Sequence, residues 1–130
     1  MVSRARVKET AIAALKAERV RDAMLSITFV GRVAMSKLNG RYLRHRGPTD
    51  VISFGLGRPT KRGAVIGDIY ICPDVARDNA KSQGVPISEE ILRLVVHGTL
   101  HVLGHDHPTG ASRTASPMWR RQERILARVL

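Results

Sequence analysis

The chain has 130 residues, enough for one domain with a modest core, and leaves little room for a second. Hydrophobic residues at 43% and charged residues at 25% exclude a disordered tail, a collagen-like repeat and a low-complexity linker. Lys and Arg number 22 against 11 Asp and Glu, a net charge of +11 with a pI near 11.2, which points to a polyanionic partner, nucleic acid before an anionic membrane.

The periodicity predicts a first helix from Arg4 to Val20, with Val7, Ala11, Ala14 and Leu15 on its apolar face. A strand follows over Leu25 to Val30, then a helix over Val33 to Tyr42 with Val33, Leu38 and Tyr42 as expected core contacts. The loop Arg44 to Pro48 carries Arg44, His45 and Arg46 beside Gly47 and Pro48. Asp50 to Phe54 and Gly67 to Cys72 read as strands, separated by a basic loop over Gly55 to Gly63 that holds Arg58, Lys61 and Arg62. Pro73 and Asp74 open a helix that ends near Gln83, before Gly84.

Ser88 is the expected N-cap of the next helix, with Glu89 and Glu90 suited to its dipole. That helix, Ile91 to Leu103, is apolar nearly all round and should be central; Gly104 turns the chain back. Ser116 and Pro117 cap a last helix, Met118 to Leu130, with an apolar face of Met118, Ile125, Leu126 and Val129. Its Arg120, Arg124 and Arg128 stripe reads as a solvated face. Together these elements predict a single α+β domain, a small mixed sheet packed with about five helices.

The single cysteine, Cys72, cannot close an internal disulfide and reads as a buried structural thiol, which fits a reducing cytosol. No uncharged apolar run approaches the ~20 residues of a membrane span. A soluble, cytoplasmic protein with no membrane partner is expected.

Four of the five histidines fall between His97 and His107. His97 and His101 stand at i, i+4 on the central helix, so their imidazoles project from one face and can share a metal. Past the glycine stop, His107 can return as a third nitrogen. Three His leave one position open, the arrangement of a catalytic zinc site. His105 competes with His107 as a ligand, and Asp106 suits an outer role, fixing the tautomer of a ligand histidine. The spacing matches H-E-x-x-H-x-x-G-x-x-H of zinc peptidases, but the glutamate position holds Gly98, so that chemistry lacks its proton acceptor unless Asp50, Asp68 or Asp106 supplies one in space. Hydrolysis of a phosphodiester fits the charge better. Gly98 itself is read as a site of close approach by another segment or by substrate.

The run His97-Gly98-Thr99-Leu100-His101-Val102-Leu103-Gly104-His105-Asp106-His107 resembles the HGxLHLxGYDH signature of the YbeY endoribonucleases, the bacterial rRNA maturation factors. Leu38-Asn39 with Tyr42, Pro48 to Phe54 (the family's PTDVLSF) and Gly67 to Ile71 (its GDIVI) agree in order, so the resemblance covers about Leu25 to Leu130. It implies one zinc ion per chain on His97, His101 and His107. It also implies single-strand-specific endoribonuclease activity in 16S rRNA 3′-end maturation and ribosome quality control, with the small ribosomal subunit as partner. Where many members carry an arginine thought to serve RNA binding or catalysis, this chain has Leu43; Arg44 and Arg46 are the neighbouring candidates for RNA contact. The family's Tyr before Asp-His is His105 here, which joins Asp106 as an outer residue expected to tune the site or bind a second metal. The family's usual first strand has no good counterpart in Met1 to Arg6, which is short and charged. Beyond the metal ligands no catalytic residue is assigned. Two other readings stand beside this one, a ribosome-assembly binding protein with a structural zinc and, less favoured, a zinc metallopeptidase.

Overall fold

The computed structural model describes residues 2–56, 64–105 and 116–130. Its elements in chain order are α1 (Arg4–Ala17), β1 (Ala23–Phe29), α2 (Arg32–Leu43), β2 (Val51–Gly55), β3 (Val65–Ile71), α3 (Pro73–Gln83), α4 (Ile87–Val102) and α5 (Pro117–Val129). Among the described residues this is the expected α+β class, five helices with a mixed three-stranded sheet. Asp106, His107 and the basic loop residues Arg58, Lys61 and Arg62 lie outside the described residues.

Strand β3 is the middle of the sheet. It pairs in parallel with β1, Ala23 opposite Val65 and Phe29 opposite Ile71, and antiparallel with β2, Val51 opposite Ile71 and Gly55 opposite Gly67. Alternation along β3 sends Val65, Gly67, Ile69 and Ile71 to one buried face. Helix α4 lies on that face, and α1, α3 and α5 pack around α4. Helix α2 covers the opposite face, where Met35 meets Ile52 and Cys72.

Eleven of the sixteen residues of α4 are buried, as its nearly continuous apolar sequence predicts. Each fully buried Leu, Ile or Val there contributes roughly 1.5–3 kcal/mol. Two glycines set how closely it lies on the sheet. A Cβ at Gly98 would stand 2.8 Å from Ile69 Cγ2, and one at Gly67 would overlap the Val102 side chain. The close approach expected at Gly98 is therefore made by β3. Past the helix, Gly104 takes a φ of +99°, as its role in turning the chain back requires.

The structure corrects two local expectations. Ser88 is not the N-cap of α4. The Glu90 N–H donates to Pro86 O at 3.2 Å, so the first turn closes two residues earlier, on Pro86, and Ser88 lies inside it. On α2, Val33 and Tyr42 are exposed, at 71% and 53%, whereas Met35 and Asn39 are buried and Leu38 partly so. Positions 35, 38 and 39 form the i, i+3, i+4 stripe that meets the sheet, and Val33, two residues earlier, points almost oppositely. The Tyr42 ring still touches the edge of Phe54, with centroids 5.3 Å apart. Ser116 caps α5 as expected, accepting from Trp119 N at 3.1 Å, and Cys72 is fully buried.

Candidate metal centre

The apolar faces of α4 are spent on the sheet and on three helices, and its last two turns carry His97 and His101. Their ring centroids are 4.6 Å apart with planes at 71°, so the i, i+4 spacing does bring two imidazoles together. His97 is buried at 6% exposure, and His101 is half-buried. The donor set suits zinc, two borderline-soft nitrogen ligands on one helix face. Among the described residues no group of three or more His, Cys, Asp or Glu is placed to hold a metal. The third ligand expected, His107, lies outside them.

The two histidines line a cavity of about 310 Å³ together with Leu43, Thr49, Asp50 and Ser53. The position that matches the family's arginine thus puts an aliphatic side chain beside the histidines. Arg44 closes α2 in the left-handed region with a φ of 55°, and both it and Arg46 are exposed on the loop beyond Leu43. Buried Asn39 ties that loop down, donating from Nδ2 to Gly47 O at 2.9 Å. Asp50 accepts from Val51 N at 2.8 Å and from Asn79 Nδ2 at 3.1 Å. Of the carboxylates considered as an added proton acceptor, Asp50 reaches the cavity. Asp68 is on the other face of the sheet, accepting from Ser26 Oγ at 2.7 Å.

Behind His97 lies a second cavity of about 250 Å³, bordered by Asp50, Asn79, Glu90, Arg93 and Gln122. Here His97 Nδ1 lies 2.6 Å from Gln122 Oε1. Gln122 Nε2 donates to Glu123 Oε2 at 3.0 Å. Arg93 grips Glu123 through Nε at 2.9 Å and Nη2 at 3.1 Å, and donates to Glu90 at 2.8 Å and Glu89 at 3.1 Å. Burial pushes the Glu90 carboxyl above its ordinary pKa, more than Arg93 pulls it down, while the carboxylates hold Arg93 firmly protonated against the cost of its own burial. Gln122 went unread in the sequence although a signal was there: it fills the gap between Met118 and Ile125 in the apolar stripe of α5, and it is 1% exposed. His105 turns to the other side of the fold, where its Nε2 contacts Glu18, the C-cap of α1.

A cavity of about 570 Å³ between α1 and β1 is lined by Val7, Ala11, Leu15, Leu25 and Ile27, with Arg4 and Lys8 as its titratable groups. Apart from these two cations and Thr28 its lining is apolar, with no histidine, thiol or carboxylate.

The model of the family described as Endoribonuclease YbeY matches residues 2–130. The chain is 46% identical over 93 residues to the endoribonuclease YbeY of Beutenbergia cavernae, covering 66% of this chain and 62% of that protein. It is 34% identical over 111 residues to that of Syntrophotalea carbinolica, covering 83% and 74%. With that of Kineococcus radiotolerans it shares 41% identity over 92 residues, 65% of this chain and 53% of the relative. The chain thus spans between about half and three-fifths of the length of several curated relatives it matches. A Thermotoga maritima protein solved in solution is similar over 99% of this chain and 85% of its own, with a TM-score of 0.63 and 25% identity.

Proposed function

The chain belongs to the endoribonuclease YbeY family, and from that premise we propose that it cuts single-stranded RNA at the cavity of His97 and His101, using one zinc ion held by these two and His107. The substrate of this reading is the 16S rRNA 3′ region on the small ribosomal subunit, and the compartment is the cytoplasm. The observation that carries it is the pair of imidazoles 4.6 Å apart, with the buried one anchored through Nδ1, in a cavity whose wall includes Leu43, the residue that precedes the exposed Arg44 and Arg46.

A bound zinc ion would supply a Lewis acid that polarises a phosphodiester oxygen and lowers the pKa of water. The chain's own residues do the rest. His97 and His101 present nitrogens from a helix that the sheet fixes at Gly98 and Gly67, so the ligands stand on a rigid element. Arg44 and Arg46, each a planar fork of donors, hold backbone phosphates at the mouth. Leu43 and the hydroxyls of Thr49 and Ser53 line the wall against which the sugar or base rests.

The test is cleavage of a single-stranded 16S 3′-end RNA by wild type and by a folded, identically purified His101→Ala protein. Cleavage by wild type that drops to background in the variant is expected. Equal cleavage by both assigns the activity to a contaminant. No cleavage by a zinc-loaded wild type would move the ribosome-assembly reading ahead of the nuclease.

A further inference from the structure

We propose that Gln122 is a positioning residue for the metal centre: its side-chain amide, oriented by Glu123 and Arg93, holds His97 in the tautomer whose proton sits on Nδ1, so that His97 ligates through Nε2. This rests on the metal-dependent reading above and adds to it the device that aims one ligand.

The direction of the relay follows from which groups can only donate and which can only accept. A guanidinium only donates, and Arg93 places two N–H groups on Glu123. Both carboxylate oxygens of Glu123 are thus acceptors, Oε2 toward Nε and Oε1 toward Nη2. The group 3.0 Å from Glu123 Oε2 must therefore be the NH₂ of Gln122. The amide then turns its oxygen to His97, where 2.6 Å separates Oε1 from Nδ1. A carbonyl oxygen only accepts, so the proton between them belongs to the imidazole. Every step runs one way, from Arg93 through Glu123 and Gln122 to His97. Reversing any one would face two donors or two acceptors against each other, and at the buried Gln122–His97 contact an unmade hydrogen bond is costly.

The placement suits a positioning role better than simple packing. Gln122 is buried on the apolar stripe of α5, where an aliphatic residue would fill the same space without needing partners. The adjacent-residue bond from Gln122 to Glu123 gives α5 no cross-link of its own; its effect is to orient the amide. Arg93 already joins α4 to α5. Histidines that bind metals commonly pass their other N–H to a fixed acceptor, and removing that acceptor costs about 10- to 100-fold in metal affinity.

The experiment uses the full chain with ¹⁵N-labelled histidine. Long-range ¹H–¹⁵N correlation of the metal-free protein reads the His97 tautomer, and cobalt(II) titration followed by its visible bands reads affinity and geometry. Neither needs RNA. The wild type is expected to show His97 protonated at Nδ1. Gln122→Leu should lose that preference and bind cobalt(II) about 10- to 100-fold more weakly. Gln122→Glu should restore both, because a carboxylate also accepts from Nδ1. Glu123→Gln, which lets the 122 amide turn over, should give a mixed tautomer with intermediate affinity. Far-UV circular dichroism identifies a Gln122→Leu protein that fails to fold, and Gln122→Glu against Glu123→Gln then decides. A wild-type His97 protonated at Nε2, or a Gln122→Leu protein with unchanged tautomer and affinity, overturns the proposal while leaving the nuclease reading intact. A wild type that takes up no metal overturns both. Absence of RNA cleavage with the predicted tautomers and affinities overturns only the nuclease.

Discussion

Helix α5 is tied down by two ionic clusters that use the same groups in opposite ways. Toward α4, one buried cation serves three carboxylates: Arg93, its side chain 11% exposed, meets Glu89, Glu90 and Glu123. Toward α1, one buried carboxylate serves two partners: Glu18, 9% exposed, meets Arg121 of α5 and His105. The carboxyl groups respond in opposite senses. Glu90 is raised, because burial outweighs its share of one guanidinium and Asp50 and Glu123 add negative charge. Glu18 is lowered: burial raises it, but Arg121 and His105 together lower it more. The number of counter-charges per buried group decides whether burial or attraction wins. The crowded cluster is also the one that backs His97, so there the electrostatic cost is spent on orientation.

The sharpest way to break the contrast is Arg93→Met. It leaves Glu90 buried without its cation and releases Glu123 from its clamp. Removing one partner of a buried ion pair costs about 3–5 kcal/mol, and the urea midpoint should fall accordingly. The metal affinity should fall with it, because Glu123 no longer orients Gln122. A midpoint close to wild type would mean that water reaches Glu90 and that the cluster is not the interior device described here.

The opposite pKa shifts predict opposite pH slopes, a smaller effect. Glu90 has a folded pKa above its unfolded one, so between the two the native state binds more protons and stability falls as pH rises. Its window lies above the ordinary carboxylate value of about 4.3. Glu18 has a folded pKa below its unfolded one. Its contribution is fully present above the ordinary value and is lost as pH falls through the lowered one. Stability against pH, measured by urea unfolding, should therefore lose its acid-side drop in Glu18→Gln, whereas Glu90→Gln should remove a decline that lies above the ordinary carboxylate value. Difference profiles of the same sign would show that the two carboxylates share one environment.

The cluster at α4 and the one at α1 were unequally legible in the sequence. His97 and His101 could be read because a metal ligand pair has a fixed helical spacing and an apolar helix makes polar intruders conspicuous. The sheet, its central α4 and the cap at Ser116 followed from local pattern in the same way. Gln122 escaped because its importance is set by what faces it across α4, and a polar residue in an apolar stripe looks like an imperfection until its partner is known. Glu90 read as a first-turn acid suited to the helix dipole, and only the packing of other elements around α4 buries it. His105 stood next to the ligand candidates in the chain, yet Gly104 turns its ring to Glu18. The register of α2 was misread at Val33 and Tyr42, since two weak apolar stripes compete there and the sheet selects the one through Met35.

The smallest effect belongs to a pair that is closer than any contact of Arg93. Arg32 Nη2 lies 2.7 Å from Asp78 Oδ2 and also reaches Asp74 O at 3.3 Å. Its side chains are 47% and 66% exposed. Water screens the attraction there, and ordering two long side chains costs rotamer freedom that offsets it. Arg32→Ala should leave the urea midpoint within error of wild type at 0.15 M salt, and added salt should not separate the two proteins further. A fall comparable to that of Arg93→Met would show that distance governs these pairs and burial does not. The contrast between the α5 clusters would then need another cause.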